Sequence, residues 1–279
     1  MPDVTPPVSV IYYQGVILLV GFVVLIHSLS TQAFRLKDGG RTPTWRISPA
    51  DFGIFVISLF FAVLIVQISV ASFAIKDFEP GDETSPAGVV VFGSLFHLTC
   101  IGVFLGFRKA FPKSFRNPLN SVRISWFAAG GFAFYAFLAI LPVLSIGTLV
   151  WMEILEAVGI TPQPQDVVET FFAIDSHAMM LGMLVVVVIL APVSEEIIFR
   201  GCLYRFLKER MPMWIAIAAS AVLFSLMHRN SMGFVALGLL GALLCVVYER
   251  TGSLKVPILL HAIFNLNTVI LILMHNGSE

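Results

Sequence analysis

Residues 190–201 have the sequence LAPVSEEIIFRG, in which two adjacent glutamates and an arginine follow a long apolar run. A charged side chain at the centre of a membrane helix costs about 2.5–3.5 kcal/mol on insertion scales, so its presence needs a reason. Glu196 and Arg200 are four residues apart and would share one face of a helix, where they can form an ion pair. Glu195 would point about 100° away from that face. The stretch therefore predicts a membrane helix with one paired and one unpaired carboxylate.

Two more polar motifs follow within apolar segments. His228 ends the sequence FSLMH, and His261 is followed four residues later by Asn265. A hairpin of two helices, each about 22 Å long, would bring Glu195 and His228 to a similar depth. By the same counting His261 lies nearer the cytoplasm, so tilted, short or re-entrant helices are needed to bring it to the same place. We infer a cavity that opens to the cytoplasmic half of the membrane.

The composition is that of a polytopic membrane protein. Hydrophobic residues make up 58% of the 279, and charged residues make up 12%, against about 25% in soluble domains. The formal net charge is zero, which offers no electrostatic basis for binding nucleic acid. The predicted fold is an all-α transmembrane helix bundle of about eight spans. These spans cover approximately residues 11–30, 52–75, 88–107, 125–151, 178–208, 212–228, 232–248 and 256–274.

Basic residues indicate how the spans are oriented. Of the 17 lysines and arginines, all except Lys76 and Arg229 lie in loops or helix ends that alternate topology places on one side. Because cytoplasmic loops are enriched in Lys and Arg, that side is predicted to be cytoplasmic. Both termini would then lie outside the cytoplasm, in a multi-pass protein of a bacterial-type plasma membrane.

We divide the chain into three regions. Residues 1–150 hold membrane spans without a recognised motif, residues 151–177 form an acidic extracytoplasmic connector, and residues 178–279 form a helical core that carries the three polar motifs. The three cysteines lie within or beside apolar runs without Cys-x-x-Cys spacing, so they are interpreted as small core residues. Four other histidines have no polar partner at a spacing that would indicate a site, and they are interpreted as structural or surface histidines: His27, His97, His177 and His275.

The motifs Glu-Glu-x-x-x-Arg, Phe-x-x-x-His and His-x-x-x-Asn, in this order on membrane helices, resemble the CPBP family of CAAX proteases and bacteriocin-processing enzymes. The resemblance covers about residues 181–267. It implies an intramembrane endopeptidase that hydrolyses a peptide bond with a glutamate-activated water. The substrate would be a peptide or protein that reaches the site through the bilayer or its cytoplasmic half.

The resemblance also assigns roles to individual residues. Glu195 and His228 would hold the attacking water, and a buried carboxylate beside an imidazole is the minimum needed to activate it. His261 and Asn265 would donate hydrogen bonds to the oxyanion of a tetrahedral intermediate. Glu196 and Arg200 would form a supporting pair that positions Glu195.

Several alternatives remain open on the sequence alone. One carboxylate and two histidines are also a known zinc ligand set, so Glu195, His228 and His261 could make the protein an intramembrane metalloprotease. No cofactor is favoured, because Asn265 is a poor zinc ligand and suits the oxyanion role. A non-proteolytic membrane protein with the same fold, such as an immunity or scaffold protein, is the alternative of a different class. A proton-coupled transporter is a third, disfavoured because the polar groups cluster in one third of the chain.

Overall fold

The computed structural model describes residues 7–36, 40–73, 85–112, 119–160, 170, 171, 174 and 176–276. Within these residues the regular structure is helical, with no strand. The helices are α1 (Val8–Ser30), α2 (Pro49–Phe73), α3 (Pro86–Ala110), α4 (Trp126–Ala157), α5 (His177–Lys208), α6 (Met213–Met227), α7 (Phe234–Thr251) and α8 (Lys255–Asn276).

Seven of these helices, all except α6, are long and apolar enough to cross a membrane. Helix α6 has 15 residues, or about 22 Å, which is shorter than a hydrocarbon core of about 30 Å. The prediction of an all-α bundle with about eight membrane helices is confirmed. The helix near residues 212–228 is shorter than a full crossing.

The core of the bundle lies where α4, α7 and α8 meet. Small residues on α4 face larger aliphatic side chains of the other two helices, and all of them are buried. Small side chains allow close approach of helix backbones, which is how membrane helices gain packing contacts. The main members of this cluster are Ala129, Ala133, Ala136, Leu240, Leu244, Val256 and Leu260.

Helix α5 changes its hydrogen-bond pattern along its length. Two π-helical segments, Val185–Leu190 and Ile197–Tyr204, flank the α-helical turn Ala191–Glu196. Each π-helical turn inserts extra backbone into the helix, and such insertions are frequent at functional sites. The turn that carries both glutamates therefore lies between two irregular segments.

A proline explains how one backbone carbonyl of α5 becomes available. The amide of Ala191 donates to the carbonyl of Val186, five residues back. Pro192 has no amide hydrogen and cannot donate to the next carbonyl, that of Val187. The side-chain amide of Asn265 on α8 donates to this carbonyl instead, at 2.8 Å. A side chain from a distant helix thus replaces a backbone donor.

The loops rich in basic residues gather at one end of the bundle. Glu249, near the end of α7, is buried and accepts hydrogen bonds from Tyr204 and Lys208 of α5 and from the backbone amide of Thr42. Ser121 donates its amide to Gly252, which ends α7 with a positive φ of 66°. The segments around residues 42, 121 and 252 therefore lie together at the end of α5. Loops on the same side of the membrane are expected to lie together in this way. Which side of the membrane this end faces stays a prediction.

The three regions predicted from the sequence also stay a prediction. Helix α4 ends at Ala157, so it extends beyond residue 150 into the predicted acidic connector. Within that connector, residues 161–169, 172, 173 and 175 lie outside the described residues. The N-terminal helices pack directly on α5, through a buried cluster that includes Trp45, Phe55 and Cys202.

Candidate active site

Glu195 lies in the α-helical turn of α5 and faces two imidazole rings. Its Oε2 atom is 3.7 Å from Nε2 of His228 and 3.9 Å from Nε2 of His261. This oxygen is buried and accepts no hydrogen bond from a described residue. The structure thus brings together three side chains that the sequence places 33 residues or more apart. A single carboxylate oxygen lies between two ring nitrogens.

His228 follows the last residue of α6, and its ring is held by the backbone of the same helix. Its Nδ1 atom is 2.7 Å from the carbonyl oxygen of Phe224. Because a carbonyl only accepts hydrogen bonds, Nδ1 must carry a proton. In the neutral ring Nε2, which faces Glu195, is therefore an unprotonated acceptor.

His261 is held by the other glutamate of the pair. Its Nδ1 atom is 3.1 Å from Oε1 of Glu196, and Nη1 of Arg200 is 2.8 Å from the same oxygen. Arg200 also donates to the carbonyl of Gly241 on α7, at 2.9 Å. Glu196 and Arg200 are fully buried. The pair predicted from the i, i+4 spacing is present, and it orients one of the two imidazoles that face Glu195.

Phe224 packs at the centre of these polar groups. Its ring centroid is 4.5 Å from that of His228 and 5.6 Å from that of His261. The guanidinium carbon of Arg200 lies 4.5 Å from the same ring, a cation–π contact. Phe224 therefore separates the ion pair from the His228 ring and fixes the spacing between the two histidines.

Asn265 is near the site but is engaged with the backbone of α5. One of its two amide hydrogens is used in the bond to the carbonyl of Val187. That bond keeps the amide group at the α5–α8 contact and leaves the second hydrogen for another acceptor. Its role as an oxyanion donor remains a prediction.

Sequence reasoning missed His97 on α3. Its Nδ1 atom is 2.6 Å from the hydroxyl oxygen of Ser194, the residue before Glu195. His97 is also close enough to Glu195 and His261 to interact with both electrostatically. His97 thus has a buried partner, as expected of a structural histidine, and the structure places this contact beside Glu195. The available signal was an ionisable residue within an apolar span, which is a site candidate by default.

An apolar pocket of about 400 Å³ adjoins Glu195. Its walls come from α2, α3, α5 and α6, so the N-terminal spans form part of the site. Glu195 and Ser194 are the polar residues that line it. The aromatic and sulfur-containing walls include Phe52, Phe55, Phe96, Phe199 and Met227.

The predicted zinc ligands were compared with what a metal site requires. Among the described residues, no group of three or more His, Cys, Asp or Glu side chains is arranged so that it could hold a metal ion. Nδ1 of each site histidine is already bonded to Phe224 or Glu196. Nε2 of both rings still faces Glu195, and a metal-binding histidine commonly donates its other nitrogen in this way. The zinc alternative therefore stays a prediction, and the comparisons do not support the metalloprotease prediction.

A bundle of membrane-spanning helices with a carboxylate between two imidazoles has the features of an intramembrane peptidase. Residues 177–267 match the family described as "Type II CAAX prenyl endopeptidase Rce1-like". The matched segment contains all six residues of the predicted site. The resemblance to the CPBP family is thereby confirmed for this part of the chain.

Of three proteins that are similar to this chain, one is named as a membrane peptidase. "Putative membrane peptidase YdiL" of Bacillus subtilis is 32% identical over 89 residues, which cover 32% of this chain and 36% of the relative. "UPF0177 protein YbdI" of Lactococcus lactis is 26% identical over 65% of this chain and 90% of the relative. An "Uncharacterized 24.3 kDa protein" of Escherichia coli is 27% identical over 60% of this chain and 72% of the relative. No solved structure matches.

Proposed function

We propose that this protein is an intramembrane endopeptidase of the CAAX-protease type that hydrolyses a peptide bond with a water activated by Glu195. The observation that carries the proposal is the Oε2 atom of Glu195, buried between the Nε2 atoms of His228 and His261 at 3.7 and 3.9 Å. The match of residues 177–267 to a prenyl endopeptidase family supports it.

The two distances to Glu195 suit a bridging water. They are too long for direct hydrogen bonds, which are about 2.7–3.2 Å between heavy atoms. A water oxygen at hydrogen-bond distance from both groups can donate one hydrogen to Glu195 and the other to the acceptor Nε2 of His228. Its lone pair is then directed away from both groups, towards a substrate carbonyl.

In the first chemical step, the water oxygen forms a bond to the carbonyl carbon while Glu195 takes a proton from the water. The carbonyl oxygen becomes an oxyanion. In the second step the C–N bond breaks, and the protonated Glu195 returns the proton to the leaving amine. Glu195 is therefore first a base and then an acid.

The oxyanion needs hydrogen-bond donors, and the hydrogen bonds of His261 decide when its ring can be one of them. Nδ1 of His261 already donates to Glu196, so its Nε2 can donate to an oxyanion only when the ring carries a second proton. The second amide hydrogen of Asn265 is the other donor we propose. Donors of this kind act mainly in the transition state, where charge develops on the carbonyl oxygen.

The apolar pocket beside Glu195 suggests how a substrate is held. Its walls offer almost no polar groups apart from Ser194 and Glu195, so it suits a hydrocarbon part of the substrate. We propose that the lipid-like or apolar part of the substrate lies there while the adjoining peptide bond faces Glu195. The bilayer is the expected route of access, with the polar peptide end towards the cytoplasmic half.

The test is cleavage of a farnesylated Cys-a-a-X peptide, labelled with a fluorophore and a quencher, by the purified protein in detergent micelles. Glu195→Gln removes the base but keeps the shape of the side chain. Turnover is expected to fall by about 10²–10⁴, the usual contribution of general acid–base catalysis, with an unchanged melting temperature. The same peptide without the farnesyl group is the matched control for the role of the apolar pocket.

Two results would contradict the proposal. Normal cleavage by Glu195→Gln would remove Glu195 from the mechanism. The second result combines two observations: the parent protein cleaves neither peptide, and the Glu195→Gln variant, isolated from its native membrane, carries no bound protein that the parent lacks. Together they would favour a non-proteolytic scaffold or immunity role. Because we propose a mechanism without a metal, we expect activity to survive treatment with a chelator.

A further inference from the structure

His97 on α3 contacts the turn that carries Glu195. It is 9% exposed, and Ser194 is 2% exposed. The 2.6 Å contact between His97 Nδ1 and Ser194 Oγ joins residues that are 97 positions apart. A buried polar contact between two membrane helices is costly to leave unsatisfied, so its partners hold each other in place.

The direction of this hydrogen bond follows from the other bond of the serine. The hydroxyl of Ser194 donates its only hydrogen to the carbonyl of Ala191, at 3.2 Å. With this bond in place, its oxygen accepts from His97 and Nδ1 of His97 carries the proton. His97 is a donor to Ser194 in this arrangement, and the serine links it to the backbone of the Glu195 turn.

The turn needs such support because its own helix fixes it poorly. It lies between the π-helical segments Val185–Leu190 and Ile197–Tyr204, where the regular α-helical ladder is interrupted. On the α8 side, Asn265 bonds to Val187 and His261 bonds to Glu196. On the α3 side, His97 bonds to Ser194. A rotation of the turn about the helix axis would move the carboxylate of Glu195 away from the two imidazoles.

We propose that His97 is a positioning residue that acts through Ser194 and keeps the Glu195 carboxylate between His228 and His261. The proposal rests on the proposed function for its kinetic consequence, but the contact and its effect on the site geometry do not depend on proteolysis. His97 belongs to α3, outside the segment that matches the family, so the N-terminal spans contribute to the geometry of the site.

The first test uses kinetics of the farnesylated peptide. His97→Leu and Ser194→Ala should each lower kcat by about tenfold, the effect of losing one hydrogen bond of about 1.4 kcal/mol, with KM unchanged. The double variant should be no slower than either single variant, because both remove the same bond. His97→Asn, whose amide can occupy the position of Nδ1, should recover most of kcat, whereas His97→Gln should not.

The matched control is His27→Leu. Nδ1 of His27 is 2.9 Å from the hydroxyl of Tyr135, a similar contact between α1 and α4 that does not involve the Glu195 turn. This variant should keep the parent kcat and KM. An unchanged kcat in His97→Leu, losses that multiply in the double variant, or an Asn variant as slow as the Leu variant would each overturn the proposal.

The second test needs no substrate and therefore separates this proposal from the proposed function. In protein labelled with ¹⁵N-histidine, the imidazole signals of His228 and His261 should shift in Ser194→Ala, which removes no ring. The shift should be the same in His97→Leu and largely reversed in His97→Asn. If Ser194→Ala leaves both signals unchanged, His97 does not position the site, whatever the peptide assay shows.

Discussion

At the scale of single residues, the two adjacent glutamates have different partners because of helix geometry. Glu196 shares a helix face with Arg200, and the two bond at 2.8 Å without exposure to solvent. Glu195 is rotated away from that face and meets His228 and His261 instead. The paired glutamate orients His261, and the unpaired one is available for chemistry.

The buried pair gives a prediction about stability. Removing one partner leaves an uncompensated buried charge, which costs about 3–5 kcal/mol. We expect Glu196→Ala and Arg200→Ala to melt at clearly lower temperatures than the parent in the same detergent, and to lose activity with the orientation of His261.

Glu209→Ala is the matched control for this measurement. Glu209 pairs with Arg46 at 3.4 Å, but the side chain of Arg46 is 79% exposed. Exposed pairs contribute little to stability, so this variant should melt close to the parent. If Arg200→Ala melts at the same temperature as Glu209→Ala, the buried pair does not stabilise the fold.

At the scale of the helix, α5 shows how a proline and a distant side chain can shape a site. Pro192 leaves the carbonyl of Val187 without a backbone donor, and Asn265 on α8 supplies one at 2.8 Å. Asn265 thereby joins α8 to α5 about two turns before the glutamates. The same asparagine is the proposed oxyanion donor, so the two roles need to be separated.

A pair of substitutions separates these two roles. Asn265→Ala should destabilise the protein by about 1–3 kcal/mol, because it leaves a carbonyl without a donor. Pro192→Ala restores a backbone amide near that carbonyl, so the same Asn265→Ala change should destabilise the Pro192→Ala protein less. Melting temperatures of the four proteins, the parent included, measure the difference.

Turnover in the same four proteins tests the other role. If Asn265 also donates to the oxyanion, the loss of kcat caused by Asn265→Ala persists in the Pro192→Ala background even where stability recovers. Equal melting losses of Asn265→Ala in both backgrounds would contradict the proposed replacement of a backbone donor by the asparagine.

At the scale of the whole molecule, the N-terminal helices form part of the site and of the basic end. Helices α2 and α3 line the apolar pocket beside Glu195. At the basic end, the backbone around residue 42 bonds to Glu249 and Lys208. The N-terminal region therefore packs at both places against the segment that matches the family.

The clustering of the basic loops leads to a prediction of orientation. The cysteines Cys100, Cys202 and Cys245 are buried, so a cysteine introduced on the surface can be labelled selectively. In intact cells, an impermeant maleimide should label Met232→Cys, at the end opposite to the basic loops. It should label Arg123→Cys, in a basic loop, only after the membrane is made permeable. The reverse pattern would show that the basic end faces outward, against the positive-inside bias.

The sequence by itself determined the features that depend on local spacing and composition. The length of the apolar runs predicts the membrane helices, and the four-residue spacing predicts the pairing of Glu196 with Arg200. The order of the three polar motifs predicts which helices must meet at Glu195. These features follow from helix geometry and from the cost of a charge in the membrane, both of which can be worked out along the chain.

Only the tertiary structure decided which helix faces meet. The contact of His97 with Ser194 joins residues 97 positions apart, and that of Asn265 with Val187 joins residues 78 apart. Membrane helices are apolar on every side, so the periodicity that marks the buried face of a soluble helix is missing. Nothing in the local sequence therefore indicates which face of α3 is directed towards the site, or which face of α2 lines the apolar pocket. Both orientations follow from the packing of the helices.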